Sequence, residues 1–199
     1  MARVNEPALP LVVVLAGPNG AGKSTLAERL LQEAWAVNEF VNADVIARGL
    51  SGFRPERAAI AAGRVMIERT RSLASERLSF AFETTLASRT FAPWLERLHA
   101  AGYRSHLAFL SLPTAELAVA RVAERVRRGG HHVPEDVIRR RFVRGLRNFF
   151  DLYDPIVGSW QMYDNATLSG PRPIAARAAE HGAVVYDEAA WARLREVVE

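Results

Sequence analysis

The residues with the clearest chemical potential are Gly17, Pro18, Asn19, Gly20, Ala21, Gly22, Lys23, Ser24 and Thr25. Their spacing, Gly-x-x-x-x-Gly-Lys-Ser, is that of a phosphate-binding loop, in which glycines let the backbone close around a phosphate with its N–H groups pointing inward. Lys23 would reach the β- and γ-phosphates of a nucleotide, and the Ser24 hydroxyl would ligate Mg²⁺. The chain has 25 arginines and one lysine, and that lysine is Lys23. A compact ammonium fits under phosphates where a forked guanidinium does not.

A phosphate loop specifies a nucleotide, not a reaction; the reaction depends on the neighbouring strand ends. Asp44 follows the apolar Phe40-Val41 and could accept a proton from a substrate hydroxyl that attacks a γ-phosphoryl group. Its alternative is to cap the helix that follows, and both roles can hold at once. Glu83, Thr84 and Thr85 end a third apolar run. Glu83 could hold the acceptor hydroxyl or a water on Mg²⁺, and Thr85 could bind the acceptor; the threonines could equally be caps. Arg64, Glu68 and Arg71 share one helix face, a pattern that usually forms a solvated salt-bridge stripe.

Between Arg121 and Arg147, nine arginines meet three carboxylates, a local charge of +6 in a chain whose net charge is +4. Arg121, Arg125 and Arg128 recur at helical spacing opposite Ala118, Val122 and Val126. Beyond Gly129-Gly130, Arg140, Arg144 and Arg147 repeat this opposite Ile138, Phe142 and Phe149. Two such helices joined at a glycine hinge would form a lid over residues 114–147, neutralising charge on a transferring phosphoryl and excluding water. Solvated faces are the alternative for most of these arginines, and Arg121, Arg125 and Arg128 are the foremost candidates to meet phosphate. His131 and His132 have no metal-ligand partners at suitable spacing and read as loop residues.

These side chains need a scaffold. Leu11–Ala16 is an unbroken apolar, β-branched run, suited to a strand buried on both faces. A helix over 24–35, strands near 39–42, 79–82, 106–110, 160–163 and 183–186, and helices over 55–78, 93–100, 114–128, from Pro134 and from Ala189 follow. A loop and a short helix are expected around Pro171 and Pro173. The alternation predicts a three-layer α/β/α sandwich with a mostly parallel sheet, in one domain over 1–199 with a loose arm at 1–8. With 199 residues at 49% hydrophobic and no cysteine, a sizeable core is available without disulfides or thiolate chemistry. The short, Pro-broken apolar start is not a signal peptide, and no segment approaches the ~20 apolar residues of a membrane span, so a soluble cytoplasmic protein is expected.

Taken together, Gly17–Thr25, Asn42-Ala43-Asp44, Phe82–Leu86, His132–Phe142 and Tyr163-Asp164-Asn165 resemble the zeta toxin family in its short chromosomal form, over nearly all of residues 10–166. The resemblance implies the P-loop NTPase/kinase fold and an ATP- and Mg²⁺-dependent kinase for a UDP-activated amino sugar, typically UDP-N-acetylglucosamine at the 3′-hydroxyl. It would assign Lys23 and Ser24 to the loop, Asp44 as base, Glu68, Glu83 and Thr85 to the substrate, and Arg121 and Arg128 to the lid, with a small helical antitoxin as partner. The chain departs from the plasmid-borne toxins in having Ala47 before Arg48 where they place an acceptor-binding Arg soon after the base. It is also shorter than they are. Another hydroxyl acceptor, an antibiotic or a metabolite, is the alternative. A non-catalytic nucleic-acid-binding module is a third possibility, but the arginine window lacks interleaved aromatics for base stacking.

Overall fold

The computed structural model describes residues 9–167, 169–179 and 181–199; the arm expected at residues 1–8 lies outside them. The chain runs β1 (Leu11–Ala16), α1 (Lys23–Glu28) continuing as a π-helical stretch (Arg29–Ala34), β2 (Glu39–Val41), α2 (Ala43–Leu50), a 3₁₀ turn (Pro55–Ala58), α3 (Ala59–Ser75), β3 (Phe80–Thr84) and α4 (Ala92–Ala100). It then forms β4 (Arg104–Ser111), α5 (Ala115–Arg127), α6 (Glu135–Asn148), a π-helical turn (Phe149–Tyr153), β5 (Ser159–Asp164), β6 (Arg172–Arg177), β7 (Ala183–Val185) and α7 (Glu188–Glu196).

The strands make one sheet in the order β2-β3-β1-β4-β5-β6-β7. The first five are parallel; β6 and β7 are antiparallel additions. Side chains of a strand alternate between faces, yet Val12 to Ala16 are all fully buried, so helices cover the sheet on both sides. Each fully buried Leu or Phe contributes about 2 kcal/mol. One face packs Phe80 and Phe82 against Phe91, Trp94 and Tyr103; elsewhere Trp160 of β5 stacks on Trp191 of α7 at 5.9 Å.

Strand order reverses direction at β1, which lies between β3 and β4. In open α/β sheets such a switch point opens a crevice at the carboxyl ends of the strands, where ligands bind. Gly17, Asn42, Thr84 and Asn165 follow or end β1, β2, β3 and β5, four of the five parallel strands, at this edge.

The tail departs from the sequence-based expectation. The Ala-rich stretch after Pro173 favours a helix by propensity, but it forms β6, hydrogen-bonded to β5 on one side and β7 on the other. Pairing that satisfies the backbone on both edges overrides local preference. Pro173, which cannot donate to the ladder, is the second residue of the strand and lies at a register shift opposite Tyr163.

His106, in β4, is half-buried beneath Trp35, at 4.8 Å between ring centroids. Its Nδ1 is 2.9 Å from Ser159 Oγ, while Nε2 is buried without a partner. Burial pushes its pKa down from 6.5 to about 4. Between these values the unfolded chain binds a proton that the native state refuses, so stability falls as pH drops below 6.5. Denaturant titrations should give a native state about 2 kcal/mol less stable at pH 5 than at pH 7 from this group alone. His106→Gln should remove that part of the slope.

Candidate active site

The chain leaves β1 at Gly17 with φ +137°, and a Cβ there would sit 2.1 Å from the Leu110 carbonyl oxygen of β4. Only glycine allows this turn. Gly22, at φ +82°, precedes α1 in the left-handed region, so the loop wraps back before the helix begins. Lys23 is the first helical residue and is 5% exposed. Its Nζ donates to the carbonyl oxygens of Gly17 (2.9 Å) and Pro18 (3.0 Å), closing the loop, and lies 3.6 Å from Glu83 Oε1.

Three side chains meet beside it. Ser24 Oγ and Asn42 Nδ2 each donate to Glu83 Oε2 at 2.7 Å. Asn42 Oδ1 accepts from the N–H groups of Asp44 (2.8 Å) and Val45 (3.3 Å) and so caps α2. Capping therefore belongs to Asn42, and the Asp44 carboxylate is released from that duty. Asp44 instead lines two adjoining cavities.

The first cavity, about 250 Å³, is walled by the phosphate loop with Ser24, Thr25, Arg121 and Arg125. The second, about 350 Å³, is walled by Thr84, Thr85, Ser88, Phe91, Gly63, Met66 and Arg141. Asn19, Lys23, Asp44 and Glu83 border both. Asn19 is itself buried, with an unpartnered Oδ1. A triphosphate in the first cavity would thus direct its terminal group toward whatever occupies the second.

Burial pushes the Lys23 pKa below its ordinary value, opposed chiefly by the negative charge of Glu83 and then that of Asp44. Removing the Glu83 charge lets desolvation act with less opposition. Glu83→Gln should therefore bind ATP more weakly at alkaline pH than the wild type, with the loss beginning at lower pH, as a calorimetric titration from pH 7 to pH 10 can show.

The arginines divide by environment. Arg121 donates from Nη1 to the Asn165 carbonyl (2.7 Å) and from Nη2 to that of Ala166 (2.6 Å), which braces it over the loop. Asn165 in turn donates from Nδ2 to the Ala21 carbonyl at 2.8 Å. Arg125 donates to the His131 carbonyl at 2.8 Å and keeps a buried, unpartnered Nε at the first cavity. Arg128 is elsewhere: its side chain is 78% exposed and pairs with Glu124 at 2.9 Å. The helix ends at Arg127, so the arginine stripe does not continue to it.

Glu68 is also away from both cavities, exposed on α3. That helix turns Ala62, Met66, Thr70 and Leu73 inward, and a residue two positions after Met66 faces roughly the opposite way. The expected glycine hinge is a helix end. Gly130 N–H bonds to the Arg125 carbonyl and Gly129 N–H to that of Val126, each at 2.9 Å, the pair of bonds that closes a helix at a left-handed glycine. Gly20 meets the Ala118 carbonyl of α5, so the α5–α6 hairpin packs directly on the loop.

Two contributors were not assigned roles from sequence. Asn42 carries a readable signal, an Asn directly before a helical start. Arg141 falls at the spacing of the buried residues Ile138, Phe142 and Gly145, a packed stripe that the exposed Arg140, Arg144 and Arg147 obscure.

Residues 12–150 match the family model described as AAA domain. The chain belongs to the AAA domain family. The chain is also similar to an uncharacterised protein of Haemophilus influenzae, 31% identical over 126 residues, covering 63% of this chain and 88% of that protein. In fold, it is similar to the AvrRxo1-ORF1:-ORF2 complex with ATP (TM-score 0.73, 16% identity), covering 93% of this chain and 63% of that one. It also resembles the PezAT chromosomal toxin–antitoxin system of Streptococcus pneumoniae (TM-score 0.66, 19% identity), covering 99% of this chain and 82% of that one. This AAA domain protein thus spans less than two thirds of the AvrRxo1 chain. The α/β fold expected from the zeta toxin resemblance is the fold found, a P-loop kinase-like sheet with flanking helices. Among the described residues no helix is long and apolar enough to cross a membrane.

Proposed function

We propose that the protein is an ATP-dependent small-molecule kinase that transfers the γ-phosphoryl group to a hydroxyl, with the 3′-hydroxyl of UDP-N-acetylglucosamine as the leading acceptor. The observation that carries this reading is the Asp44 carboxylate, free of capping and bordering both cavities. There it can take the proton from an acceptor hydroxyl as that oxygen bonds to the γ-phosphorus and the bond to ADP breaks. Lys23, Arg121 and Arg125 face the developing charge with groups already held in place.

Among the described residues, no cluster of three or more His, Cys, Asp or Glu side chains is placed to hold a metal. Ser24 Oγ and the Glu83 carboxylate, 2.7 Å apart on the cavity wall, are hard oxygens, and Mg²⁺ commonly binds through one or two such groups plus substrate phosphates. The residues therefore fit Mg²⁺, which when bound supplies charge neutralisation at the phosphate oxygens.

The acceptor identity rests on the zeta toxin resemblance, and another small hydroxyl compound fits the same geometry. Incubation with ATP, Mg²⁺ and a panel of nucleotide sugars, neutral sugars and antibiotics, read by mass spectrometry, separates the two. UDP-N-acetylglucosamine should gain the mass of one phosphate; gain by a different panel member would replace the acceptor, and no gain by any would remove the kinase reading. A helical antitoxin is the partner this reading implies, supported by the fold likeness to a toxin–antitoxin system. The nucleic-acid alternative is weakened because Arg127, Arg128, Arg139 and Arg140 are each paired with a neighbouring carboxylate.

A further inference from the structure

The larger cavity holds a cation that the proposed transfer does not use. Arg141 is half-buried on α6, whereas Arg144, one turn away, is exposed. Arg139 and Arg140 are neutralised by Glu116, Glu135 and Asp136; among the described residues Arg141 forms no salt bridge.

The helix carrying it is fixed to the cavity rim. Gly145 packs on the Thr85 carbonyl so closely that a Cβ would lie 2.4 Å from its oxygen. Asn148 Nδ2 donates to the Leu86 carbonyl at 2.7 Å, and just beyond the helix the Tyr153 hydroxyl donates to that of Ser88 at 2.9 Å. Leu86 is buried and held at φ +55°, a left-handed conformation that costs a bulky residue and persists where surrounding contacts enforce it. Arg141 is thus presented from a rigid frame into a cavity that also offers the Thr85 and Ser88 side chains and an apolar wall of Met66 and Phe91.

We propose that Arg141 selects the acceptor by pairing with an oxyanion, a phosphate or a carboxylate, carried by the molecule whose hydroxyl faces Asp44. A partly desolvated guanidinium without a counter-ion is unfavourable, and its planar fork matches an oxyanion with two parallel hydrogen bonds. Burial lowers its pKa, and Asp44 is the main charge opposing that shift. Asp44 nevertheless forms no ion pair with it and is committed to the hydroxyl proton. Neutral sugars and neutral antibiotics therefore lack the group this cavity is built to hold. The inference rests on the kinase reading for the word acceptor, but its test does not require turnover.

With the phosphate loop filled by a non-hydrolysable ATP analogue and Mg²⁺, inorganic phosphate and acetate are titrated separately by calorimetry. The wild type should bind at least one of them, phosphate alone pointing to a phosphorylated acceptor and acetate alone to a carboxylate. Arg141→Gln should weaken that binding by about tenfold or more, and Arg141→Lys, which keeps the charge but loses the fork, by a smaller factor. Arg144→Gln, on the exposed side of the same helix, should leave it unchanged. Unaltered affinity for the ATP analogue certifies that each variant is folded, and Arg141→Lys carries the test if Arg141→Gln is not. The proposal is overturned if neither anion binds the wild type, if the Arg141 variants bind as the wild type does, or if they lose the ATP analogue instead. Failure of phosphoryl transfer in the nucleotide-sugar panel would leave this outcome untouched, so the two ideas fail separately.

Discussion

Asp44→Asn lowers phosphoryl transfer by about 10²–10⁴-fold, the usual contribution of a positioned general base, and changes the affinity for ATP little. Asparagine has the same shape but cannot take the hydroxyl proton. Fold and stability should survive, because Asn42 rather than Asp44 caps α2. Nucleotide affinity should survive because the Gly17–Ser24 loop is untouched, although Lys23 loses the smaller of its two supporting negative charges. Single-turnover transfer to the identified acceptor, set beside calorimetric binding of an ATP analogue, separates these effects. Full transfer by the variant would remove Asp44 from the chemistry and leave only a nucleotide pocket.

Gly17→Ala abolishes the native loop. The added methyl would meet the Leu110 carbonyl at 2.1 Å, a backbone atom in a central strand that has nowhere to move, at φ +137°. Strain and clash together should cost about 3 kcal/mol or more, a fall in Tm of roughly 6–12 °C or greater for a domain of this size. Gly129→Ala is the control. It also has positive φ, +81°, but open space around the new methyl, so it should cost only about 1 kcal/mol. Thermal melts of the two variants test whether the close approach, rather than left-handed backbone in general, fixes the glycine.

What the sequence could and could not disclose follows the range of the interactions. The phosphate loop was legible because its geometry is made by nine consecutive residues, and Asp44 because it trails a short apolar run. Glu83 was legible as the polar end of β3, but its bridge to Ser24 and Asn42 joins three separate segments and has no local signature. Glu68 and Arg128 show the opposite limit. Helical spacing says which residues share a face, but packing decides where the face points. On α3 the face of Met66 and Leu73 was chosen, and α5 stopped one residue short of Arg128. Arg141 was hidden for the same reason, an ionic side chain within a stripe of core spacing. The tail forms a strand where its composition favours a helix, because helix propensity in an Ala-rich segment yields to strands that already offer hydrogen-bond partners.

The bond from Asn165 to the Ala21 carbonyl joins residues 144 positions apart, and Arg121 leans on the same distant segment. The loop near the start of the chain therefore cannot acquire its final form while its brace is still inside the ribosome. A nascent chain that has emerged only through the glycine motif lacks this brace, so competence to bind a nucleotide waits for the segment at Asn165 to emerge.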